Sequence, residues 1–213
     1  MKVFIKTFGC RVNQVESEAL LEKFKNAKAE ITPDYKQADL CLLNTCSVTA
    51  KADRDANKMI RAVKRDNPHC RLVVTGCYAM SGAEKIRQIF PFAEIVFKPD
   101  LGKVLFGEDI DWTVKSHEGK TRAFVKIQDG CDNFCSYCIV PYTRPLKTSK
   151  PKAVALAEIK NLIENGYKEI VLTGINIGNY SCPQTGADLA DLLEEIFKTE
   201  GDFRIRFSSI EIN

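Results

Sequence analysis

No apolar run in these 213 residues approaches the length that crosses a bilayer, and histidine occurs only twice. The first absence argues against a membrane-spanning chain. The second leaves almost no imidazole from which to build a metal site. The amino-terminal stretch MKVFIKTFGCRVN also lacks the apolar segment and small-residue cleavage site of a signal peptide. Excess charge of one sign is missing too: 31 Lys and Arg against 28 Asp and Glu leave +3, too mild a balance to imply nucleic acid by itself. No low-complexity tract and no internal repeat is visible. With 45 % apolar and 28 % charged residues the composition is that of a globular chain able to bury a sizeable core. The expectation is a cytoplasmic protein without a membrane partner.

What the chain has in quantity is cysteine, with nine residues. In a reducing compartment these read as metal or redox ligands rather than as disulfides. Their meaning depends on where they fall in the fold.

Strand and helix patterns alternate through the first hundred residues. Strands are expected at Val3 to Phe8, Leu40 to Leu43, Leu72 to Thr75 and Ile95 to Phe97. A helix opens at a capping-box pattern of Asn13 and Glu16, with Val15, Ala19, Leu20 and Phe24 on its apolar face. A second runs from about Thr49, with Ala52, Ala56, Met59, Ile60 and Val63 inward, and stops before Asn67-Pro68. A third follows a Ser81 and Glu84 capping pattern, presents Ile86, Ile89 and Phe90, and ends at Pro91. Such repetition predicts a parallel sheet covered by helices. The polar stretch 107–122, containing Asp109, Asp111, His117, Glu118 and Gly119, is the expected linker between a domain at 1–106 and another at 123–213. The second domain restarts the alternation with strands at Ala123 to Ile127, Glu169 to Leu172 and Arg204 to Phe207. Helices are expected at Val154 to Asn165, closed by Gly166, and at Asp188 to Phe197.

Cys10, Cys46 and Cys77 each follow the carboxyl end of an expected strand, in FIKTFGC, LLNTC and LVVTGC. In an open parallel sheet those ends line a common crevice where ligands bind, so cysteines thirty or more residues apart can converge. The competing reading of each is a small buried hydrophobe, which suits Cys41 inside its strand. Cys70, at the other end of its strand, and Cys182, in a loop, stand apart from the group. A second trio, Cys131, Cys135 and Cys138, fills GCDNFCSYC after the strand AFVKIQDG. A closed structural zinc site wants four ligands, and neither His69 nor His117 is placed to complete one. An iron-sulfur cluster held by three cysteines keeps one iron open to another ligand.

The run CDNFCSYC resembles the CxxxCxxC motif of radical S-adenosylmethionine (SAM) enzymes. The wider set TFGCRVNQVESE, NTCSVTAKAD, TGCYA, IQDGCDNFCSYCIVPYTRP and LTGINIGNY resembles the methylthiotransferases, in family order along the whole chain. GCRVNQVES and NTCSVT are most similar to the branch that methylthiolates threonylcarbamoyladenosine in tRNA. The isopentenyladenosine tRNA branch and the branch acting on a ribosomal protein are the relatives to separate from it.

The resemblance implies an α/β architecture in which the amino-terminal parallel sheet is followed by the first half of a radical-SAM βα partial barrel. The carboxyl half and a TRAM domain are expected to be absent, leaving a fragment inactive alone. Cys131, Cys135 and Cys138 would hold one 4Fe-4S cluster, with SAM chelating its open iron and Tyr137 nearby. Cys10, Cys46 and Cys77 would hold a second 4Fe-4S cluster that presents the sulfur to be inserted at carbon 2 of the adenine. Thr173, Gly174 and Asn176 are positional candidates for SAM contact, although glycine after a strand also marks an ordinary turn. The implied partners are tRNA and an electron donor such as flavodoxin or ferredoxin. Arg54, Lys58, Arg61 and Arg65 recur at helical spacing and, with Arg144, are candidates for RNA contact. Lys147, Lys150 and Lys152 extend the Arg144 patch. The bland reading of both patches is a solvated surface. TRPLKTSKP departs from the family's usual Arg-Gly step there, which affects local loop geometry. The competing function class is a non-catalytic, metal-stabilised module that binds RNA.

Overall fold

A computed structural model describes residues 1–117 and 119–211. Glu118 of the expected linker, and Ile212 and Asn213 at the end of the expected second domain, lie outside the described residues. The chain divides into two compact units, Met1–Trp112 and Thr113–Asn213.

The first unit is a parallel five-stranded sheet: β1 (Lys2–Thr7), β2 (Glu30–Ile31), β3 (Leu40–Thr45), β4 (Arg71–Gly76) and β5 (Glu94–Ile95), in the order β2-β1-β3-β4-β5. The central strand β3, LCLLNT, is buried along its whole length. A parallel strand covered on both faces reads as such a continuous run. Leu40 and Leu42 face one core with Val3, Leu20, Phe24, Val73 and Leu101. Cys41 and Leu43 face the other with Phe4, Ala56, Ile60, Leu72 and Ile86. Helices α1 (Arg11–Asn26), α2 (Ala50–Asp66), α3 (Cys77–Ser81), α4 (Ala83–Ile89) and α5 (Lys98–Phe106) cover these faces. Thr49 caps α2 by accepting from the Ala52 amide at 3.2 Å.

Several local expectations are corrected. Asn13 and Glu16 are not a capping box: Cys10 is the residue before α1, and no side chain caps that end. Asn13 is buried among backbone carbonyls, and Glu16 is buried in an ion pair with Lys98. Ser81 ends α3 and turns its hydroxyl to Ser47 and the Cys77 carbonyl, so it opens no helix. Ile89 is exposed rather than apolar-facing. The strand expected at Ile95 to Phe97 is the shorter β5, and Phe97 instead precedes α5, whose start carries Pro99.

The second unit has a parallel three-stranded sheet of β6 (Ala123–Lys126), β9 (Glu169–Thr173) and β10 (Arg204–Phe207), in the order β10-β9-β6. Helices α7 (Lys152–Glu164) and α8 (Leu189–Phe197) pack on it through Ala155, Ile159, Leu162, Leu192 and Ile196. Asp188 and Asp191 form a reciprocal capping box at α8. An unforeseen antiparallel ribbon pairs β7 (Gln128–Asp129) with β8 (Thr148–Ser149), and the loop between them carries α6 (Val140–Thr143) and the cysteine trio. Among the described residues no helix is long and apolar enough to cross a membrane.

Candidate iron-sulfur and cofactor sites

In the first sheet the chain passes from β1 outward to β2 and then returns to β3 on the other side of β1. That reversal opens a crevice at the carboxyl ends of β1 and β3, where doubly wound sheets bind ligands. Cys10 follows β1 and Cys46 follows β3, while Cys77 begins α3 directly after β4. The turns that carry them are closely fitted. Gly9 has φ +88°, and a Cβ there would lie 2.3 Å from Cys46 Cβ and 2.4 Å from its Sγ. Gly76 has φ +93°, and its Cβ would lie 2.3 Å from the Thr45 carbonyl oxygen. Glycine at both positions supplies the left-handed backbone and the room.

A polar network holds the three turns together. Asn13 Nδ2 donates to the Phe8 and Thr45 carbonyls, each at 2.9 Å, which joins the Cys10 turn to the Cys46 strand. Thr45 Oγ1 donates to the Thr75 carbonyl at 2.5 Å and accepts from the Ala79 amide at 3.3 Å, which joins that strand to the Cys77 turn. Cys46 and Cys77 are buried, whereas Cys10 is exposed. Burial pushes the Cys46 thiol up, the Val48 backbone pulls it down, and Cys10 and Cys77 raise it as neighbouring sulfurs. The three thiols therefore share one electrostatic neighbourhood.

In the second unit the cysteine loop leaves β7 through Gly130, at φ +71°, where a Cβ would meet the Leu146 carbonyl at 2.1 Å. Asp129 organises its base: one oxygen accepts from the Gly130 amide at 2.9 Å and from Arg144 Nη1 at 2.6 Å, and the other accepts from Lys126 Nζ at 3.0 Å. This corrects the reading of Arg144 as an RNA contact, because its side chain is 3 % exposed and its charge is committed to Asp129. The neighbouring basic patch is similarly engaged, Lys147 with Asp132 at 2.7 Å and Lys150 with the buried Glu158. Cys131, Cys135 and Cys138 are half-buried, and the Cys138 amide donates to the Cys135 carbonyl at 2.9 Å. Phe134, at φ +48°, stands edge-on to Tyr142 with ring centroids 5.8 Å apart. Tyr137 is 84 % exposed, and its hydroxyl is pushed up first by Cys135 and then by Glu211.

Gln128, buried in β7, joins this loop to the end of β9. Its Nε2 donates to the Asp129 and Gly130 carbonyls at 2.9 and 2.7 Å, and its Oε1 accepts from the Ile175 and Asn176 amides at 3.0 and 2.9 Å. Sequence reasoning passed over Gln128 because it sits inside a strand pattern. The signal was an amide at the end of the strand pattern AFVKIQDG, directly before Asp-Gly. Beside it, Thr173 Oγ1 and Asn176 Nδ2 are buried without a hydrogen-bond partner among the described residues. Buried polar atoms of that kind ordinarily find a partner, so they are available to a ligand. Gly174 adjoins them, with no room for a Cβ beside Ile177 Cγ2 at 2.9 Å and the Gln128 carbonyl at 3.0 Å.

Among the described residues no three His, Cys, Asp or Glu side chains gather closely enough for a single metal ion. A lone zinc with thiolates at about 2.3 Å does not suit either trio. Each trio suits a larger thiophilic group by its donor set, with three sulfurs at strand ends and one position left for a further ligand. On the α2 surface Arg54, Lys58, Arg61 and Arg65 are all exposed. Arg61 lies over the Phe90 ring at 5.4 Å, and Arg65 pairs with Asp66 at 2.6 Å.

Comparison with known proteins agrees with this layout. Residues 2–98 match the family described as Uncharacterized protein family UPF0004, and residues 125–213 match the Radical SAM superfamily. The threonylcarbamoyladenosine tRNA methylthiotransferase MtaB of Chlamydia pneumoniae is 39 % identical over 95 % of this chain and 49 % of its own. The protein of that name from Thermotoga maritima is 34 % identical over 99 % of this chain and 52 % of its own. The tRNA-2-methylthio-N(6)-dimethylallyladenosine synthase of Stutzerimonas stutzeri is also 34 % identical, over 98 % and 53 %. The chain thus spans about half the length of the curated relatives it matches. The fold resembles that of the cobalamin-dependent S-adenosylmethionine radical enzyme OxsB, with a TM-score of 0.61 and 13 % identity over 96 % of this chain and 38 % of that one. With a segment that matches UPF0004 followed by one that matches the Radical SAM superfamily, and with these relatives along nearly its whole length, the chain is similar to the radical SAM methylthiotransferases over the part of them that it spans.

Proposed function

We propose that the chain is the cluster-bearing part of a tRNA methylthiotransferase that acts at carbon 2 of threonylcarbamoyladenosine beside the anticodon. The observation that carries the reading is the placement of Cys10, Cys46 and Cys77 after the carboxyl ends of β1, β3 and β4, three adjacent strands of one sheet, with a second trio of cysteines in the loop after β7. Cys131, Cys135 and Cys138 would hold a 4Fe-4S cluster and Cys10, Cys46 and Cys77 another. When bound, the first supplies the electron for reductive cleavage of SAM and the second supplies the sulfur to be inserted.

The chain's own residues hold and shield these groups. Asp129, Arg144 and Gly130 fix the loop that presents the first trio, so its thiols need little reorganisation on loading. Gln128 couples that loop to the end of β9, where Thr173 and Asn176 offer buried polar atoms to SAM and Gly174 keeps the backbone close. Tyr137, exposed beside Cys135 and Cys138, would cover SAM once it is seated. Arg54, Lys58, Arg61 and Arg65 would meet tRNA phosphates. A flavodoxin or ferredoxin would deliver the electron, in the cytoplasm. Threonylcarbamoyladenosine is preferred to dimethylallyladenosine on the motifs GCRVNQVES and NTCSVT and on the names of the MtaB relatives.

The test is anaerobic reconstitution, followed by assay with SAM, reductant and tRNA bearing either threonylcarbamoyladenosine or dimethylallyladenosine. The assay is run with and without the segment by which the relatives are longer. About eight irons per chain and methylthio product only from threonylcarbamoylated tRNA are expected. Four irons or none would support the non-catalytic module instead, and product from the other tRNA would move the chain to the sister branch.

A further inference from the structure

Side chains alternate between the two faces of a strand. In the second sheet Ala123, Val125, Ile170 and Leu172 lie in the core under α7 and α8, with Ile205 packed against it, so Glu169, Arg204 and Arg206 belong to the opposite face. Strand register brings these charges together. Arg204 of β10 is the partner of Glu169 in β9, and Arg206 stands two residues further along β10. Arg122, directly before β6, falls opposite Glu169 from the other side. Three guanidiniums therefore surround one carboxylate. Glu169 Oε2 accepts from Arg204 Nε at 2.8 Å and pairs with its Nη2 at 2.6 Å, while Oε1 accepts from Arg206 Nη1 at 3.2 Å. Arg122 Nη1 lies 3.7 Å from Oε1, an ion pair beyond hydrogen-bond distance.

These charges do not balance. Lys147, Lys168 and Lys198, elsewhere on this unit, are each paired with a carboxylate, that of Asp132, Asp202 and Glu195. Here three cations share one anion, which leaves two positive charges unmatched among the described residues. The anion is enclosed and the cations are open: the Glu169 side chain is 9 % exposed, whereas those of Arg122, Arg206 and Arg204 are 48, 57 and 73 % exposed. Their unused N–H groups are free to meet a further acceptor. Among the described residues Arg122 donates no side-chain hydrogen bond, and Arg206 donates one.

We propose that Arg122, Arg204 and Arg206 form a binding site for a dianionic phosphate, free or as a monoester, with Glu169 as the anchor that holds the guanidiniums side by side. A phosphate has oxygens enough to bridge several planar forks, which is the recognition that arginine performs best. A phosphate monoester also carries about −1.5 to −2 at pH 7, which matches the surplus. A carboxylate or an internal phosphodiester brings only one charge. The site is separate from the proposed SAM contacts, because Thr173 is four residues further along β9, about 13 Å away. The inference does not depend on either cluster or on the proposed function.

The experiment titrates the purified chain with inorganic phosphate by calorimetry, in chloride buffer of constant ionic strength. Parallel titrations use adenosine monophosphate and an oligoribonucleotide without a terminal phosphate. Saturable binding of phosphate and of the monophosphate is expected. Arg122→Gln and Arg206→Gln should each weaken it about tenfold, and Lys168→Gln, whose cation is already paired with Asp202, should leave it unchanged. Arg122→Gln removes no hydrogen bond of the fold, so loss of binding there is not loss of structure. The unmutated chain gives a second reading: phosphate should slow phenylglyoxal modification of Arg122 and Arg206, mapped by peptide, more than that of Arg54 on α2. Absence of saturable binding, unchanged affinity in both arginine variants, or protection confined to other arginines would overturn the proposal. So would an oligoribonucleotide that binds as tightly as the monophosphate and loses that binding in Arg122→Gln, because the site would then take phosphodiesters.

Discussion

Asn13 reaches 32 residues along the chain to the carbonyl of Thr45, at 2.9 Å, and its second amide hydrogen goes to Phe8. One side chain thus joins the turn of Cys10 to the strand of Cys46. In Asn13→Leu both carbonyls lose that donor in a buried site, and an unmet buried acceptor costs about 1–3 kcal/mol. A denaturant midpoint lowered by an amount on that scale is expected, with faster alkylation of Cys46. An unchanged midpoint would show that other donors replace Asn13.

Gly9→Ala should be far more damaging than Gly107→Ala, although both glycines have positive φ. At Gly107 nothing lies within 4 Å of the added carbon, so the cost is the backbone conformation, about 1–2 kcal/mol. At Gly9 the carbon would also collide with Cys46, and the thiol must move. Iron bound at Cys10, Cys46 and Cys77 after reconstitution should fall in Gly9→Ala and stay level in Gly107→Ala.

The thiol of Cys46 should titrate above that of an ordinary cysteine. Burial is the largest cause, and the thiolates of Cys10 and Cys77 act in the same direction. Its raised folded-state pKa means that this contribution to stability is complete at low pH and is lost as pH rises through that pKa. Alkylation followed peptide by peptide should show Cys46 reacting only at higher pH than the same peptide in the unfolded chain. Equal pH profiles for the folded and unfolded chain would contradict the burial of Cys46.

The alternation of strands and helices was legible because apolar periodicity is local, and β3 announced its double burial as an unbroken LCLL. The placement of Cys10, Cys46 and Cys77 at one end of the sheet was legible for a topological reason, since parallel strands send all their carboxyl ends to one side. What stayed hidden depended on partners distant in sequence. Asn13 and Glu16 have the spacing of a capping box, yet the carbonyl of Thr45 and the ammonium of Lys98 claim them. Arg144 looks like part of a basic patch until Asp129, fifteen residues earlier, folds against it. The α5 helix escaped notice because its sequence, KPDLGKVLF, combines Pro99 and Gly102 in nine residues.

Gln128→Leu should weaken SAM binding while leaving the first unit unaltered. It removes two donors and the acceptor that the Ile175 and Asn176 amides share, so the end of β9 is released from the cysteine loop. Equilibrium dialysis of SAM on reconstituted protein should show at least a tenfold loss, equivalent to about 1.4 kcal/mol. Full SAM affinity in a folded Gln128→Leu chain would reduce the residue to a structural amide.

The four cations of the α2 surface should not contribute equally to tRNA binding. Arg65 is held by Asp66 through Nε at 2.6 Å and Nη2 at 3.0 Å, and Asp66 also accepts from the Tyr35 hydroxyl at 2.6 Å. Using Arg65 on a phosphate would mean giving up that bidentate pair, whereas Arg61 rests on the Phe90 face and can keep it while its outer edge meets an anion. No such intramolecular partner is present for Arg54 or Lys58 among the described residues. Every phosphate that the helix no longer neutralises should flatten the dependence of log affinity on log salt by about 0.7 to 0.9. Arg54→Gln and Lys58→Gln are therefore each expected to flatten the slope by about that amount, and Arg65→Gln to leave it nearly unchanged. Asp66→Asn is the sharper probe: releasing Arg65 should steepen the slope relative to the unmutated chain. A slope that none of the four substitutions alters would make this helix face an ordinary solvated surface and send the search for the RNA-binding surface elsewhere on the chain.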